Sequence, residues 1–258
     1  MKTLELVQIP HNVKIGDICG DIEPNITEDT IFTANGQPVG FYIKELTGRI
    51  KQLADVANAE LLTDRVPKSE MRRSSGMRDG EFEVKQYSTI LGGCPPKPHM
   101  KRPYPAISSV HQVKSAQTFV KAMLLLCKES ENMIKEITPE IYATQKRIIT
   151  EKVPPKFRFG ELFTSSISNF NIPAPFHRDA GNLEGCVNVI IAKKVNARGG
   201  NTTVPDYGAT MDSRNNSMLV YPAWRNVHGV TPIRPTAEDG YRNSLVFYPL
   251  KAFNNYWD

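Results

Sequence analysis

Arg242-Asn243-Ser244-Leu245-Val246-Phe247-Tyr248-Pro249-Leu250 is the stretch on which the reading of this chain turns. Its β-branched and aromatic residues favour a strand. Alternate side chains of a strand share a face, so Arg242, Ser244, Val246 and Tyr248 point one way. A buried arginine is costly unless it meets an anion. Its planar fork binds a carboxylate through two parallel hydrogen bonds, and a neighbouring serine hydroxyl adds a donor. The strand therefore reads as one wall of a site for a carboxylate-bearing molecule.

The same texture runs back to Phe157. FGELFTSSIS, GCVNVIIAKKV, NTTVPDYGATMD, NSMLVYPA and HGVTPI are short β-rich runs separated by Gly, Pro, Asn and Asp. Regular short strands with turn signals predict a sandwich or barrel.

Within these runs, APFHRDAGN (Ala174 to Asn182) holds one of only five histidines. In an extended segment His177 and Asp179 share a face and Arg178 takes the other. An imidazole beside a carboxylate can bind a metal. A second histidine would complete a two-His-one-carboxylate triad, which leaves three positions open on a non-haem Fe(II). His228, in VHGVTPI, is the natural third ligand, because the intervening runs can return the chain to a neighbouring strand of a jelly roll. Arg242 and Ser244 then suit the distal end of an iron-bound 2-oxo diacid. His11, His99 and His111 lack a comparable carboxylate context and read as structural.

The N-terminal half differs. Residues 1–45 read as short strands, with Asn35-Gly36 as a hairpin turn before an alternating Val39, Phe41, Ile43 face. Gly48 to Leu62 reads as a helix with Ile50, Leu53, Ala54, Ala57 and Leu61 on one side. Residues 64–106, rich in Gly and Pro, read as irregular. Ser115 to Ile137 reads as a core-facing helix with a break near Ser130. A further helix starts at Thr138-Pro139. The chain thus divides near residue 155. The expected fold class is α+β: a helical, basic support region (1–155) packs on a double-stranded β-helix, or jelly-roll, core (156–258).

Charge and cysteines narrow the setting. The net charge of +5 is concentrated. Arg65, Lys68, Arg72, Arg73, Arg78, Lys85, Lys97, Lys101 and Arg102 face only Glu70, Asp79, Glu81 and Glu83, with Tyr87 interleaved and Tyr104 close behind. This suits either a polyanion such as nucleic acid or a solvated basic loop. No run approaches the roughly 18 apolar residues of a membrane span. The N-terminus lacks the apolar core of a secretory signal. Cys19, Cys94, Cys127 and Cys186 are scattered, as expected of buried thiols in a reducing cytoplasm.

At His177-Arg178-Asp179 with Asn182, and at Arg242-x-Ser244-Leu245-Val246-Phe247-Tyr248, the C-terminal half resembles the TET/JBP family of Fe(II)/2-oxoglutarate dioxygenases. Those enzymes oxidise the 5-methyl group of pyrimidines in nucleic acid. Gly199-Gly200 and His228-Gly229-Val230 also look like relatives of that family. The likeness covers about residues 160–254 and is most specific in the last strand. It implies that His177, Asp179 and His228 bind Fe(II) and carry catalysis, and that Arg242 and Ser244 hold 2-oxoglutarate. It further implies that Asn182 hydrogen-bonds the target base, that Tyr248 stacks on it, and that the partner is DNA with a flipped or single-stranded base. A second 2-oxoglutarate contact would come from Arg72, Arg73 or Arg78. One departure matters: the family's base-reading histidine is Leu250 here, which leaves thymine beside 5-methylcytosine as a substrate. The size matches compact microbial or phage-encoded members acting in a cytoplasm without an obligate protein partner. Three rival readings remain. One is the same chemistry on a free nucleotide, protein or small molecule; another is a non-catalytic DNA-binding jelly roll; the third is a cupin-type metalloenzyme without 2-oxoglutarate.

Overall fold

The computed structural model of the chain describes residues 1–70, 85–100 and 102–257. Its first elements are β1 (Lys2–Glu5), β2 (Thr30–Ala34), β3 (Gln37–Ile43), helix α1 (Gly48–Leu61), β4 (Ser69–Glu70), β5 (Tyr87–Cys94) and β6 (Ala106–Ile107). Helices α2 (Gln117–Ile137) and α3 (Pro139–Lys152) follow. Next come β7 (Ser165–Phe170), β8 (Ala174–His177), β9 (Asn188–Val195), β10 (Ala197–Gly199), β11 (Thr202–Val204) and β12 (Ala209–Met211). The last strands are β13 (Met218–Tyr221), β14 (His228–Val230), β15 (Ile233–Pro235) and β16 (Tyr241–Tyr248).

One large sheet runs β1-β2-β3-β13-β9-β16-β7-β5-β4, with β6 paired to β5. A four-stranded sheet, β12-β11-β14-β8, faces part of it, and β10 pairs with β15. The two facing sheets form a jelly-roll sandwich that is open at one side rather than a closed barrel. Strands from both sides of residue 155 build the large sheet, so the N-terminal residues supply strands as well as helices.

The helices cover the outer face of that sheet for a reason written in their spacing. Ile50, Ala54, Ala57 and Leu61 of α1 recur every three to four residues and are buried, as are Phe119, Met123, Leu126 and Ile134 of α2. They pack in one core with Phe41, Val189, Ile191, Val220, Leu245 and Phe247 from the sheet. Strand β16 lies between β7 and β9 and is buried on both sides. Leu245 and Phe247 join that helix-facing core, while the alternate residues turn inward.

Two expectations need correcting. Helix α2 runs unbroken through Ser130, whose hydroxyl donates to the Leu126 carbonyl at 2.8 Å and so is satisfied without leaving the helix. The stretch 64–106 is not wholly irregular, because β5 is an eight-residue strand paired with β7 along most of its length. Its Gly92-Gly93 pair, which looks like a breaker, serves close packing. A Cβ on Gly92 (φ +76°) would lie 2.6 Å from the Thr164 carbonyl oxygen, and one on Gly93 would lie 2.5 Å from the Phe253 ring. The Asn35-Gly36 turn joins β2 to β3 as expected, with φ of 51° and 71°. Arg72, Arg73, Arg78, Asp79, Glu81, Glu83 and Lys101 lie outside the described residues. Among the described residues, no helix is long and apolar enough to cross a membrane.

Candidate active site

Strands β8 and β14 pair antiparallel with His177 directly opposite His228. This register brings the two rings together with centroids 4.3 Å apart. Each ring is oriented from behind. His177 Nδ1 donates to the Pro175 carbonyl at 2.7 Å, and His228 Nδ1 donates to the Asn226 carbonyl at 3.0 Å. A carbonyl only accepts, so both Nδ1 atoms carry a proton, and the neutral form of each ring presents its Nε2 lone pair. Those Nε2 atoms lie 3.4 and 3.9 Å from Asp179 Oδ1. The three ligand atoms all fall within 4.8 Å of one another.

Asp179 is itself held. Its backbone N–H donates to the Ala223 carbonyl at 3.1 Å. Its Oδ2 accepts from Asn188 Nδ2 at 2.9 Å and from Asn182 Nδ2 at 3.4 Å. Burial pushes the Asp179 carboxyl up, but His177, His228 and Asn188 outweigh it and hold the group below the usual carboxylate range. Burial and the neighbouring His177 push His228 down to about 4 against the pull of Asp179, so its imidazole is neutral near pH 7. Two imidazoles and one carboxylate are the donor set of a non-haem Fe(II) site. Their backing by backbone carbonyls and amides is the outer-shell support such ligands need. The residues present fit the metal.

The distal end of the site lies on β16. Arg242 is 3% exposed, and its Nε donates to Ser213 Oγ at 2.9 Å. No carboxylate among the described residues pairs with it, and burial lowers it to about 10. A buried guanidinium with one neutral partner and spare donors fits an incoming carboxylate. Gly200 makes room for it: its φ is +72°, and a Cβ there would sit 3.1 Å from Arg242 Cγ and Cδ. Lys194 lies opposite Arg242 in register, and its Nζ donates to the Gly199 carbonyl at 2.7 Å. Burial, then the Arg242 charge, lower it to about 8.

His177, Asp179, Asn182, His228, Arg242, Ser244 and Tyr248 all line one cavity of about 560 Å³ between the two sheets. Ile167, Ile172, Ile190, Val246 and Leu250 give it apolar walls. Tyr248 is half-buried, and burial raises its phenol, so the hydroxyl stays protonated. Arg178 is exposed at the same opening. Asn188, Asn226 and Ser213 escape sequence reasoning, and Gly200 enters it only through the family resemblance, without its role beside Arg242. The one local signal is that each triad histidine bonds the carbonyl two residues before it.

Two of the remaining histidines and three residues of the basic stretch have partners of their own. His11 Nε2 lies 2.7 Å from Asp206 Oδ1, and His111 Nε2 accepts from the Gly92 N–H at 2.8 Å. Arg65 pairs with Glu60, Lys68 caps the Tyr87 ring at 4.8 Å, and Arg102 donates to the Pro95 carbonyl. All four cysteines are buried free thiols.

A jelly roll with this triad and an unpaired buried arginine defines the class of 2-oxoglutarate-dependent, non-haem iron oxygenases. More narrowly, the profile of the Tet_JBP family, the oxygenase domain of the 2OGFeDO superfamily, matches residues 96–251, more than half of the chain. The chain belongs to that family, and its cofactors are Fe(II) and 2-oxoglutarate. Among solved structures it resembles NgTET1 in complex with 5mC DNA, with a TM-score of 0.62 and 11% identity over 95% of this chain and 84% of that one. Weaker likenesses are a 2OG-Fe(II) oxygenase family oxidoreductase from Burkholderia pseudomallei and a full-length Neurospora crassa protein solved in complex with alpha-KG. The first has a TM-score of 0.42 at 13% identity, covering 78% of this chain and 81% of that one. The second has 0.41 at 11%, covering 81% and 74%. No curated protein matches the chain by sequence.

Proposed function

We propose that this chain hydroxylates the 5-methyl group of a pyrimidine in DNA, with 5-methylcytosine favoured and thymine the second substrate. The observation that carries the reading is the shared cavity: the triad, the unpaired Arg242 and the two residues matching the family's base contacts, Asn182 and Tyr248, all face it. The likeness to a TET enzyme solved on 5mC DNA supports the substrate. In this reading residues 156–258 carry the catalytic core and 1–155 support it.

His177, Asp179 and His228 hold Fe(II). Arg242 receives the distal carboxylate of 2-oxoglutarate through its fork, with Ser244 as a further donor. Bound Fe(II) with 2-oxoglutarate supplies oxidative decarboxylation coupled to hydroxylation of a C–H bond. The apolar walls exclude water and leave the methyl group as the exposed target. Asn182 and Tyr248 orient the base by hydrogen bonding and stacking. A base in a duplex must be flipped out, at a cost of a few kcal/mol. Phosphate contacts from the basic 65–102 segment offset that cost and make binding salt-dependent.

Mass spectrometry of nucleosides tests this, after DNA is incubated with the protein, Fe(II) and 2-oxoglutarate. Parallel strands contain 5-methylcytosine or only thymine, with His177→Ala as the control. Hydroxymethylated pyrimidine, absent with the variant, is the expected product. Succinate without any modified base would keep the iron chemistry and reject the DNA substrate.

A further inference from the structure

Asn188 belongs to no motif in the sequence, yet its side chain joins the triad carboxylate to Asn182. It opens β9 on the cavity side and is 3% exposed. Its Nδ2 donates to Asp179 Oδ2 at 2.9 Å, and its Oδ1 accepts from Asn182 Nδ2 at 2.8 Å. Only one orientation of both amides satisfies this chain. A ligand carboxylate only accepts, so Asn188 must turn its NH₂ to Asp179 and its carbonyl to Asn182. Asn182 must then turn its NH₂ inward, where the second hydrogen approaches Asp179 Oδ2 at 3.4 Å. Flipping either amide would set two oxygens against each other at hydrogen-bond distance.

We infer that Asn188 is a positioning residue that aims Asp179 at the metal and, through the same relay, makes Asn182 present only an acceptor to the substrate. The first half follows from the carboxylate's two oxygens. Oδ2 is held by the amides, which leaves Oδ1 facing the two imidazole Nε2 atoms. The second half follows from Asn182 Oδ1, which takes no partner among the described residues while Asn182 lines the cavity. This half rests on the proposed function. It states which chemical feature the substrate must carry: an N–H donor on the edge that meets Asn182. 5-Methylcytosine offers its exocyclic amine and thymine its ring N3–H. Leu250, bridged to Asn182 through the backbone, adds no polar group that could relax the requirement.

Two measurements on the full chain test the two halves. The first is Mn(II) affinity by calorimetry for wild type, Asn188→Leu and Asn188→Gln. Outer-shell loss at such sites typically weakens metal binding about 10–100-fold. The Leu variant should fall in that range and the Gln variant should recover most of the loss. The second is binding, with Mn(II) and 2-oxoglutarate, of DNA strands carrying 5-methylcytosine, thymine or 5-methylpyrimidin-2-one, which has no donor on that edge. Wild type should bind the donor-free base roughly tenfold more weakly than the better of the other two, because the Asn182 oxygen is left unpaired. In Asn188→Leu the Asn182 amide can turn, and the ratio should shrink below about threefold as its NH₂ meets the ring nitrogen.

Equal binding of all three bases by wild type would overturn the acceptor rule, with the proposed function intact if the methyl group is still oxidised. Failure to bind or oxidise any of the strands would overturn the proposed function and the acceptor rule together. The Mn(II) titration decides the first half in either case, and an unchanged affinity in a folded Leu variant would overturn it.

Discussion

Replacing Arg242 with methionine should separate the stability of this protein from its ligand affinity. The guanidinium is fully buried with one neutral partner, and its lowering from 12.5 to about 10 reflects the cost of keeping it charged there. At 1.36 kcal/mol per pKa unit that cost is on the order of 3 kcal/mol. The Ser213 hydrogen bond returns about 1.5–3 kcal/mol of it. Without ligand, Arg242→Met should therefore be as stable as wild type or up to ~2 kcal/mol more stable, since methionine fills much of the space without a charge. With ligand the sign reverses. Removing one partner of a buried ion pair costs about 3–5 kcal/mol, which is at least about 100-fold in the dissociation constant of 2-oxoglutarate. Wild type with Mn(II) and 2-oxoglutarate at 100 times its dissociation constant should gain ~2.7 kcal/mol, or roughly 5–10 °C in melting temperature. The variant should show almost none of that 2-oxoglutarate-dependent gain. Thermal melts with and without 2-oxoglutarate, backed by titration calorimetry, read both quantities. A variant that melts well below wild type without ligand, yet keeps the ligand-induced shift, would refute the assignment of Arg242 as an anion receptor.

Other expectations follow from neighbouring contacts. Ser213→Ala removes the one bond that fixes Arg242 Nε and should weaken 2-oxoglutarate binding roughly tenfold, by about 1.5 kcal/mol, with little change in metal affinity. Gly200→Ala forces a Cβ into a left-handed backbone against Arg242, so both melting temperature and 2-oxoglutarate affinity should drop, with a stability loss of ~1 kcal/mol or more. Glu131 is raised, chiefly by burial, although the Glu161 and Leu162 backbone N–H groups donate to it. As pH rises from about 4.5 through its raised folded value, the unfolded chain ionises first and stability falls. Glu131→Gln keeps the acceptor and removes the charge, so urea denaturation at pH 5 and pH 8 should show a smaller fall in the variant. Equal slopes would exclude Glu131 as the source.

The legible parts of the sequence are those set by spacings of two to four residues. Period-two alternation placed Arg242, Ser244 and Tyr248 on one face, and they do line one cavity with His177 and His228. The helices were legible because Ile50, Ala54, Ala57 and Leu61 mark a stripe on their own. What escaped was fixed by distant contacts. Asn226 matters through its carbonyl, which no residue type announces. Ser213 acts on a residue 29 positions away. Strand β5 was hidden because Gly92 and Gly93 are required by Thr164 and Phe253, neither of which is near in sequence.

Strand β16 carries a consequence for how such a protein can change over evolution. Its even-numbered residues from 242 face the cavity, while Leu245 and Phe247 anchor the helix layer. Inserting or deleting one residue would exchange the two sets, placing Arg242 in the apolar core and Phe247 in the cavity. No single later substitution could restore both faces. The strand can accept replacements but no change of length, so shifts in substrate range should accumulate in the turns beside it. Ala180, Gly181 and Leu250, which line the cavity without belonging to a strand, are free of that alternation.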